Sequence, residues 1–350
     1  MSKFTIYCEI AFLEKLYDEI EQPLADLLSQ SQSVHNICSL YELIHEHSDL
    51  LIDIDDKEFI NRATNKTHEH FNPNLKKLFK DGQIKAFLYP DIFERIQNEA
   101  DYFVTTKDYQ ALYFLSKTPT QCAELCNNHG YIFISKDEID DKIPFLFNFD
   151  VQNIVKNKQP NSWNFLQRYR HPFNAMVIAD NYILNRRYDE NLFAVLQNLM
   201  PQTLNNQLFH LTIIVDIDAN ISKVQRQSID DFLENEFDYK INLTILKTSS
   251  IHDRNILTNY IWISSPYGFE LFNKGNVLEN RQTQVKMFPI TYLKSDFKSF
   301  FDIKNQPDFK NTIFETVDYL RNQAKDINDK TIDILETTNV YGNKNNRLLE

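Results

Sequence analysis

Short apolar runs alternate along this chain with stretches whose apolar residues recur at helical spacing. That alternation restricts the chain to few architectures. KFTIYCE (3–9), DLLIDID (49–55), ADYFVTT (100–106) and HGYIFIS (129–135) read as strands. Between them, Ile10, Leu13, Leu16, Tyr17 and Ile20 share one helical face, VHNICSLYELIHEH (34–47) repeats the pattern, and 57–80 is polar and helical. Residues 91–98, 108–116 and 119–127 are also expected as helices. FNAMVIADNYIL (173–184), FHLTIIVD (209–216), YKINLTILKT (239–248) and NILTNYIWIS (255–264) read as further strands. Helices are expected over 190–200, over 222–237 with Ser222 as N-cap, and over 308–325. Strands joined by helices make a parallel sheet that the helices cover. The expectation is an α/β protein of two domains, each a mainly parallel sheet with helices on both faces.

A chain of 350 residues is long enough for two cores. The polar stretch KNKQPNSW marks the join. The expected division is a first domain over 1–145, a connector over 146–168, a second domain over 169–330 and a polar tail over 331–350.

With five glycines in all, the chain holds neither a GxGxxG nor a GxxxxGK[ST] phosphate loop. Charge is uneven. Residues 1–150 carry 26 Asp or Glu against 14 Lys or Arg, and residues 151–350 carry 23 of each. An acidic first half repels phosphate chains, so general nucleic-acid binding does not belong there. Solvated helix faces or a carboxylate-lined metal site both fit it. The four cysteines (Cys8, Cys38, Cys122 and Cys126) include a CxxxC with no second pair to complete a zinc site, and read as buried thiols of a reducing compartment. No signal layout opens the chain and no apolar run is long enough to span a membrane, so the expected location is the cytoplasm.

The triplet His252-Asp253-Arg254 precedes the run NILTNYIWIS. In an extended segment, residues i and i+2 point to one side, so His252 and Arg254 can face a phosphate together. A neutral imidazole can attack phosphorus while the guanidinium neutralises its oxygens. The stretches VIADNYILNRRYDENLFAVLQNLM, LTIIVD and IHDRNILTNYIWISSPYGFELF resemble the phospholipase D-like superfamily. The variant they are most similar to is the C-terminal domain of proteins with microtubule-interacting and trafficking modules. The positions that carry the resemblance are Asp180, Tyr182 and Ile183, then Asn191 and Phe193, then His252, Asp253 and Arg254, then Gly268 and Phe269. It implies His252 and Arg254 as catalytic candidates, and Arg254, Asn259, Asp180 and Tyr182 as phosphate-binding candidates. The active pattern H-x-K-x4-D has Arg254 and Asn259 here in its Lys and Asp places, and no second such motif occurs. One chain therefore holds half a site. Catalysis would need a homodimer that brings two His252 residues together. In the variant named, the domain is a binding fold. Tyr182 and Tyr267 fall near the edge of this site, where they can stack on a ligand, and Arg186 and Arg187 add positive charge.

The first half is similar in layout to PIN-domain nucleases, which hold Mg²⁺ or Mn²⁺ with four acids at the C-terminal edge of a parallel sheet. Glu9 after FTIYC, Glu42 in SLYELI, Asp101 before YFVTT and Asp137 after YIFISK take the four places. The resemblances imply a nucleic-acid-processing or nucleic-acid-sensing protein: a PIN-like, metal-dependent nuclease of a microbial antiviral defence system, with a degenerate phospholipase D-like domain for recognition or dimerisation. Two alternatives stay open. One is a non-catalytic regulatory subunit that recognises a phosphate ligand or a protein partner, and the other is a dimeric His252 phosphodiesterase. The His-Glu-His triplets at 45–47 and 68–70 read as surface polarity, and Trp163 and Trp262 as core.

Overall fold

The computed structural model describes residues 4–20, 37, 40, 41, 43–45, 48–80, 84–88, 111–139, 150–216, 218–248, 254–278, 281–289, 340, 341 and 346–348. It separates into two compact units. The first comprises Met1–Cys126, Tyr131–Phe147 and Leu293–Gln306, and the second Asn127–Gly130, Asn148–Tyr292 and Pro307–Glu350.

The first unit is built on five strands: β1 (Phe4–Cys8), β2 (Ser48–Ile52), β3 (Ile84–Phe87), β4 (Leu112–Leu115) and β5 (Ile132–Ser135). They lie in the order β3-β2-β1-β4-β5 and every pairing is parallel. Helices α1 (Ile10–Ile20), α2 (Asp56–Thr64), α3 (Leu75–Lys80) and α4 (Pro119–His129) fall between strands in sequence. The α1 periodicity is realised: Phe12, Leu13, Leu16 and Tyr17 are buried, and Phe12 stacks on Phe114 of β4. The expected helix over 57–80 is two helices. Asp55 caps the first, its side chain accepting from the Glu58 N–H at 2.7 Å, and Asn65 closes it.

One element differs outright. Residues 108–116 are expected to be helical, yet LYFL (112–115) is the strand β4 beside β1, with all four residues buried. A short continuous apolar run fits a doubly covered strand as well as a buried helix turn, and periodicity does not separate them. The expected elements over 91–98, 100–106 and 308–325 lie outside the described residues.

The second unit holds an eight-stranded sheet in the order β15-β9-β8-β7-β10-β11-β14-β6. Its strands are β6 (Asp150–Ile154), β7 (Ala175–Ala179), β8 (Phe209–Asp216), β9 (Ile241–Thr248), β10 (Asn255–Thr258), β11 (Ile261–Ser264), β14 (Thr283–Pro289) and β15 (Val340–Tyr341); β12 (Phe272–Asn273) and β13 (Asn276–Val277) form a separate hairpin. Among the described residues, only β7, β8 and β9 pair in parallel. The remaining pairings are antiparallel, so this sheet is mixed where a mainly parallel one is expected. The cause is local. The run 255–264, expected as one strand, folds back at Asn259-Tyr260, and a two-residue connection permits only an antiparallel neighbour.

Helix α5 (Tyr188–Leu199) buries Leu192, Val195, Leu196 and Leu199, as its spacing predicts. Helix α6 (Lys223–Glu236) starts at Ser222, whose Oγ accepts from the Gln225 N–H at 3.1 Å. The range expected as a connector, 146–168, contains the edge strand β6 and most of a 3₁₀ helix, Trp163–Tyr169. Within the range expected as a polar tail, β15 pairs with β9. Asn346 is fully buried there and donates to the Met176 carbonyl at 3.0 Å and to Thr212 Oγ1 at 2.9 Å. Among the described residues, no helix is long and apolar enough to cross a membrane.

Burial pushes the thiols of Cys122 and Cys126 up to about 12, and raises that of Cys8, where Asp53 and Glu9 add to the effect. Thiolate is the reactive form. In the native protein these three thiols are expected to resist a disulfide reagent at about pH 8 and to react on unfolding. Rapid titration of more than one thiol per native chain would contradict this.

Candidate functional site

The second unit gathers its polar side chains at the C-terminal end of β7. Asp180 follows β7 directly, and its N–H extends the parallel ladder by donating to the Ile214 carbonyl at 2.9 Å. The carboxylate is fully buried. Oδ1 accepts from the Tyr182 N–H at 2.8 Å, and Oδ2 accepts from the Phe269 N–H at 2.5 Å. Gly268 closes over it with φ +81°, and a Cβ there would lie 2.7 Å from Oδ2. Only glycine accepts both the backbone angle and the contact. Burial raises the Asp180 carboxyl to about 6, against the pull of the two N–H groups and of Arg254 and Arg281.

β10 runs antiparallel beside β7, with Asn255 opposite Ala179, which brings Arg254 to the Asp180 end. The Arg254 guanidinium lies 5.6 Å from the ring centre of Tyr182, and that of Arg281 lies 5.4 Å from the same centre. Both hold adjacent carbonyls of one turn: Arg254 Nη1 donates to Pro266 at 3.4 Å and Arg281 Nη1 to Tyr267 at 3.1 Å. The turn is closed by the Gly268 N–H donating to the Ser265 carbonyl, and by Ser265 Oγ donating to the Gly268 carbonyl at 2.6 Å. Glu270, also buried, pairs with Arg187 at 3.1 Å and with Arg281 at 3.9 Å. Among the described residues no carboxylate stands within ion-pair distance of Arg254, and its Nε is buried with no hydrogen-bond partner. Tyr182 and Tyr267 remain 38% and 49% exposed at this rim.

Of the expected phosphate-binding residues, Asp180, Tyr182 and Arg254 come together and Asn259 does not. Asn259 sits at the opposite end of β10, roughly 15 Å away at strand spacing. It is fully buried, and its Oδ1 accepts from the N–H groups of Asn174 and Ala175 at 3.1 and 3.0 Å. Its place in the resemblance to H-x-K-x4-D is thus taken by a residue that ties the β10–β11 turn to the start of β7. His252 and Asp253 lie outside the described residues. Asn191 holds the fold rather than the rim. Its Oδ1 accepts from Trp163 Nε1 and from the N–H groups of Leu271 and Phe272, while Nδ2 donates to the carbonyls of Arg187 and Phe272. Phe193 stacks on Phe232 at 4.0 Å. Arg281 and Glu270 join the rim although no motif or spacing in the sequence marks them.

In the first unit, Glu9 follows β1 and Asp137 falls in a short 3₁₀ turn after β5. Glu42 and Asp101 lie outside the described residues. Glu9 is buried, and its Oε2 accepts from the Ser116 N–H at 2.6 Å and from the Ser116 hydroxyl. Ser116 follows β4, so this pair bridges the point where the strand order reverses. Asp53, after β2, accepts from the Ile10 N–H at 2.6 Å and caps α1. It stands in the run DLLIDID, and only the sheet order shows it beside Glu9. Among the described residues no group of three His, Cys, Asp or Glu side chains could hold a metal ion. Within that edge, Glu9 Oε2 and Asp53 Oδ1 accept from the Ser116 and Ile10 N–H groups.

No family model matches the chain, and no curated protein matches it. Among solved structures, the chain is similar at 14% identity to TrmBL2, described as an archaeal chromatin protein that shows a novel mode of DNA binding. The match covers 79% of this chain and 90% of that one, with a TM-score of 0.22, an overlap too slight to bear on fold or ligand.

Proposed function

We propose that the second unit is a phospholipase D-like recognition module that binds a phosphate-bearing ligand without cleaving it, through Arg254 and Arg281 at the end of β7. The observation that carries this reading is the convergence of two guanidinium groups on Tyr182, one of them with no carboxylate in ion-pair reach among the described residues. Two guanidinium groups gathered around one side chain concentrate positive charge there, and planar guanidinium donors match phosphate oxygens. Asp180 is committed to two backbone N–H groups, which suits a residue that shapes the rim. A single His-x-Arg motif in place of two His-x-Lys motifs supports binding over hydrolysis.

Calorimetric titration of the full chain with pyrophosphate tests the reading. Arg254→Ala and Arg281→Ala are each expected to weaken binding by about tenfold or more, the cost of losing a charged hydrogen-bond donor. Unchanged affinity in both variants would sink it.

A second reading concerns the first unit, where an all-parallel sheet in the order β3-β2-β1-β4-β5 places Glu9 at the strand-order reversal, the usual position of a ligand crevice. That position favours the PIN-like nuclease. Cleavage of RNA or DNA that requires Mg²⁺ or Mn²⁺ and is lost in Glu9→Gln and Asp137→Asn is the expected result. Full cleavage by both variants rejects it.

A further inference from the structure

We infer that the ligand of the arginine rim is single-stranded nucleic acid, with one unpaired base stacked on Tyr267 and the adjoining phosphate between Arg254 and Arg281. The inference rests on the reading of that rim as a phosphate site, and adds the ligand's class and the residue that selects it.

Tyr182 and Tyr267 have different surroundings. Tyr182 carries both guanidinium groups against its ring, so its face is already engaged. Tyr267 is the more exposed of the two, and among the described residues its ring stacks on no other aromatic side chain. Its backbone is nevertheless held firmly. Arg281 donates to its carbonyl, Arg254 donates to the preceding carbonyl, and Gly268 is pressed on the buried Asp180 carboxylate. An exposed ring on a clamped turn loses little conformational freedom when a flat partner settles on it. The same two arginines hold carbonyls of the turn that carries this ring.

An exposed aromatic side chain on a turn held by two arginines matches the two components of a nucleotide chain. Phosphates meet the arginines, and a base meets the ring. The base must be unstacked to present its face, which selects single strands over duplexes. A phosphopeptide or a protein acidic segment would use the arginines and leave Tyr267 without a planar partner.

The test compares short ribo- and deoxyribo-oligonucleotides with abasic phosphodiester oligomers of equal length, by fluorescence anisotropy on the full chain. Tyr267→Ala is expected to weaken oligonucleotide binding about tenfold, as loss of one stacked base does, and to leave abasic binding unchanged. Tyr267→Phe keeps the aromatic face and is expected to bind like the parent. Arg254→Ala weakens both probes. Equal binding of base-bearing and abasic oligomers, or full oligonucleotide binding by Tyr267→Ala, overturns the inference and leaves the phosphate reading standing. Failure of pyrophosphate and both oligomers to bind overturns both.

Discussion

Asn191→Leu is expected to lower the unfolding free energy of the second unit by about 4 kcal/mol, because a buried polar group left without a partner costs about 1–3 kcal/mol. Asn191 is fully buried on α5 and serves five groups from three segments: the Trp163 indole, the N–H groups of Leu271 and Phe272, and the carbonyls of Arg187 and Phe272. Leucine keeps the approximate volume and removes every one of these bonds. Trp163 and Trp262 are the only tryptophans and both belong to the second unit, so intrinsic fluorescence during urea unfolding reports that unit alone. An unchanged urea midpoint would reject the assignment of Asn191 as a hub.

Acidification is the second large effect. Burial lowers His171 and His210 to about 4, with Arg347 adding to the effect at His210. Burial holds both neutral, and at His171 it outweighs the Tyr169 carbonyl, which favours the charged form. His171 Nδ1 lies 2.6 Å from the Tyr169 carbonyl, and His210 Nδ1 accepts from the Arg347 N–H at 3.1 Å. The unfolded imidazoles take up protons near 6.5 while the folded ones do not, so stability is lost as pH falls from about 6.5 towards 4. Each group contributes a loss of about 3 kcal/mol at full development, and less at His210, which is only partly buried. His129, lowered by burial, acts in the same direction. Asp180 acts oppositely. Its folded value, about 6, is above the ordinary 3.8, so the folded state gains protons first and stability rises over the same window by about 3 kcal/mol. The histidines outweigh it. The urea midpoint is expected to fall between pH 7 and about 4.5, and His210→Gln is expected to shrink that fall. A midpoint that holds or rises on acidification would contradict the balance.

The architecture was legible where an element carried its own pattern. β1, β8 and β9 are marked by apolar runs of strand length, and α5 and α6 by helical faces and a capping serine. β4 was not, since LYFL offers no alternation when both faces are covered. The β10–β11 turn was not either, because Asn259-Tyr260 lacks the glycine that usually announces a hairpin, and the side chain of Asn259 supplies the hydrogen bonds that hold the turn. In the site, Asp180, Tyr182 and Arg254 were visible from their order along the chain. Arg281 reaches Tyr182 from nearly a hundred residues away, and Glu270 acts by pairing with Arg187 and Arg281. Contacts of that kind come from sheet order, which short spacings do not encode.

The position of β6 has a consequence for how the chain is made. Among the described residues, β6 is the first strand of its sheet to leave a ribosome, and its one neighbour there, β14, follows more than a hundred residues later, with Ile154 opposite Thr283. Through all of that elongation β6 offers an unsatisfied backbone edge, the kind that pairs with foreign strands. The strand DVQNI has a charged first residue and polar third and fourth residues, a composition that discourages such pairing while the nascent chain waits for its partner.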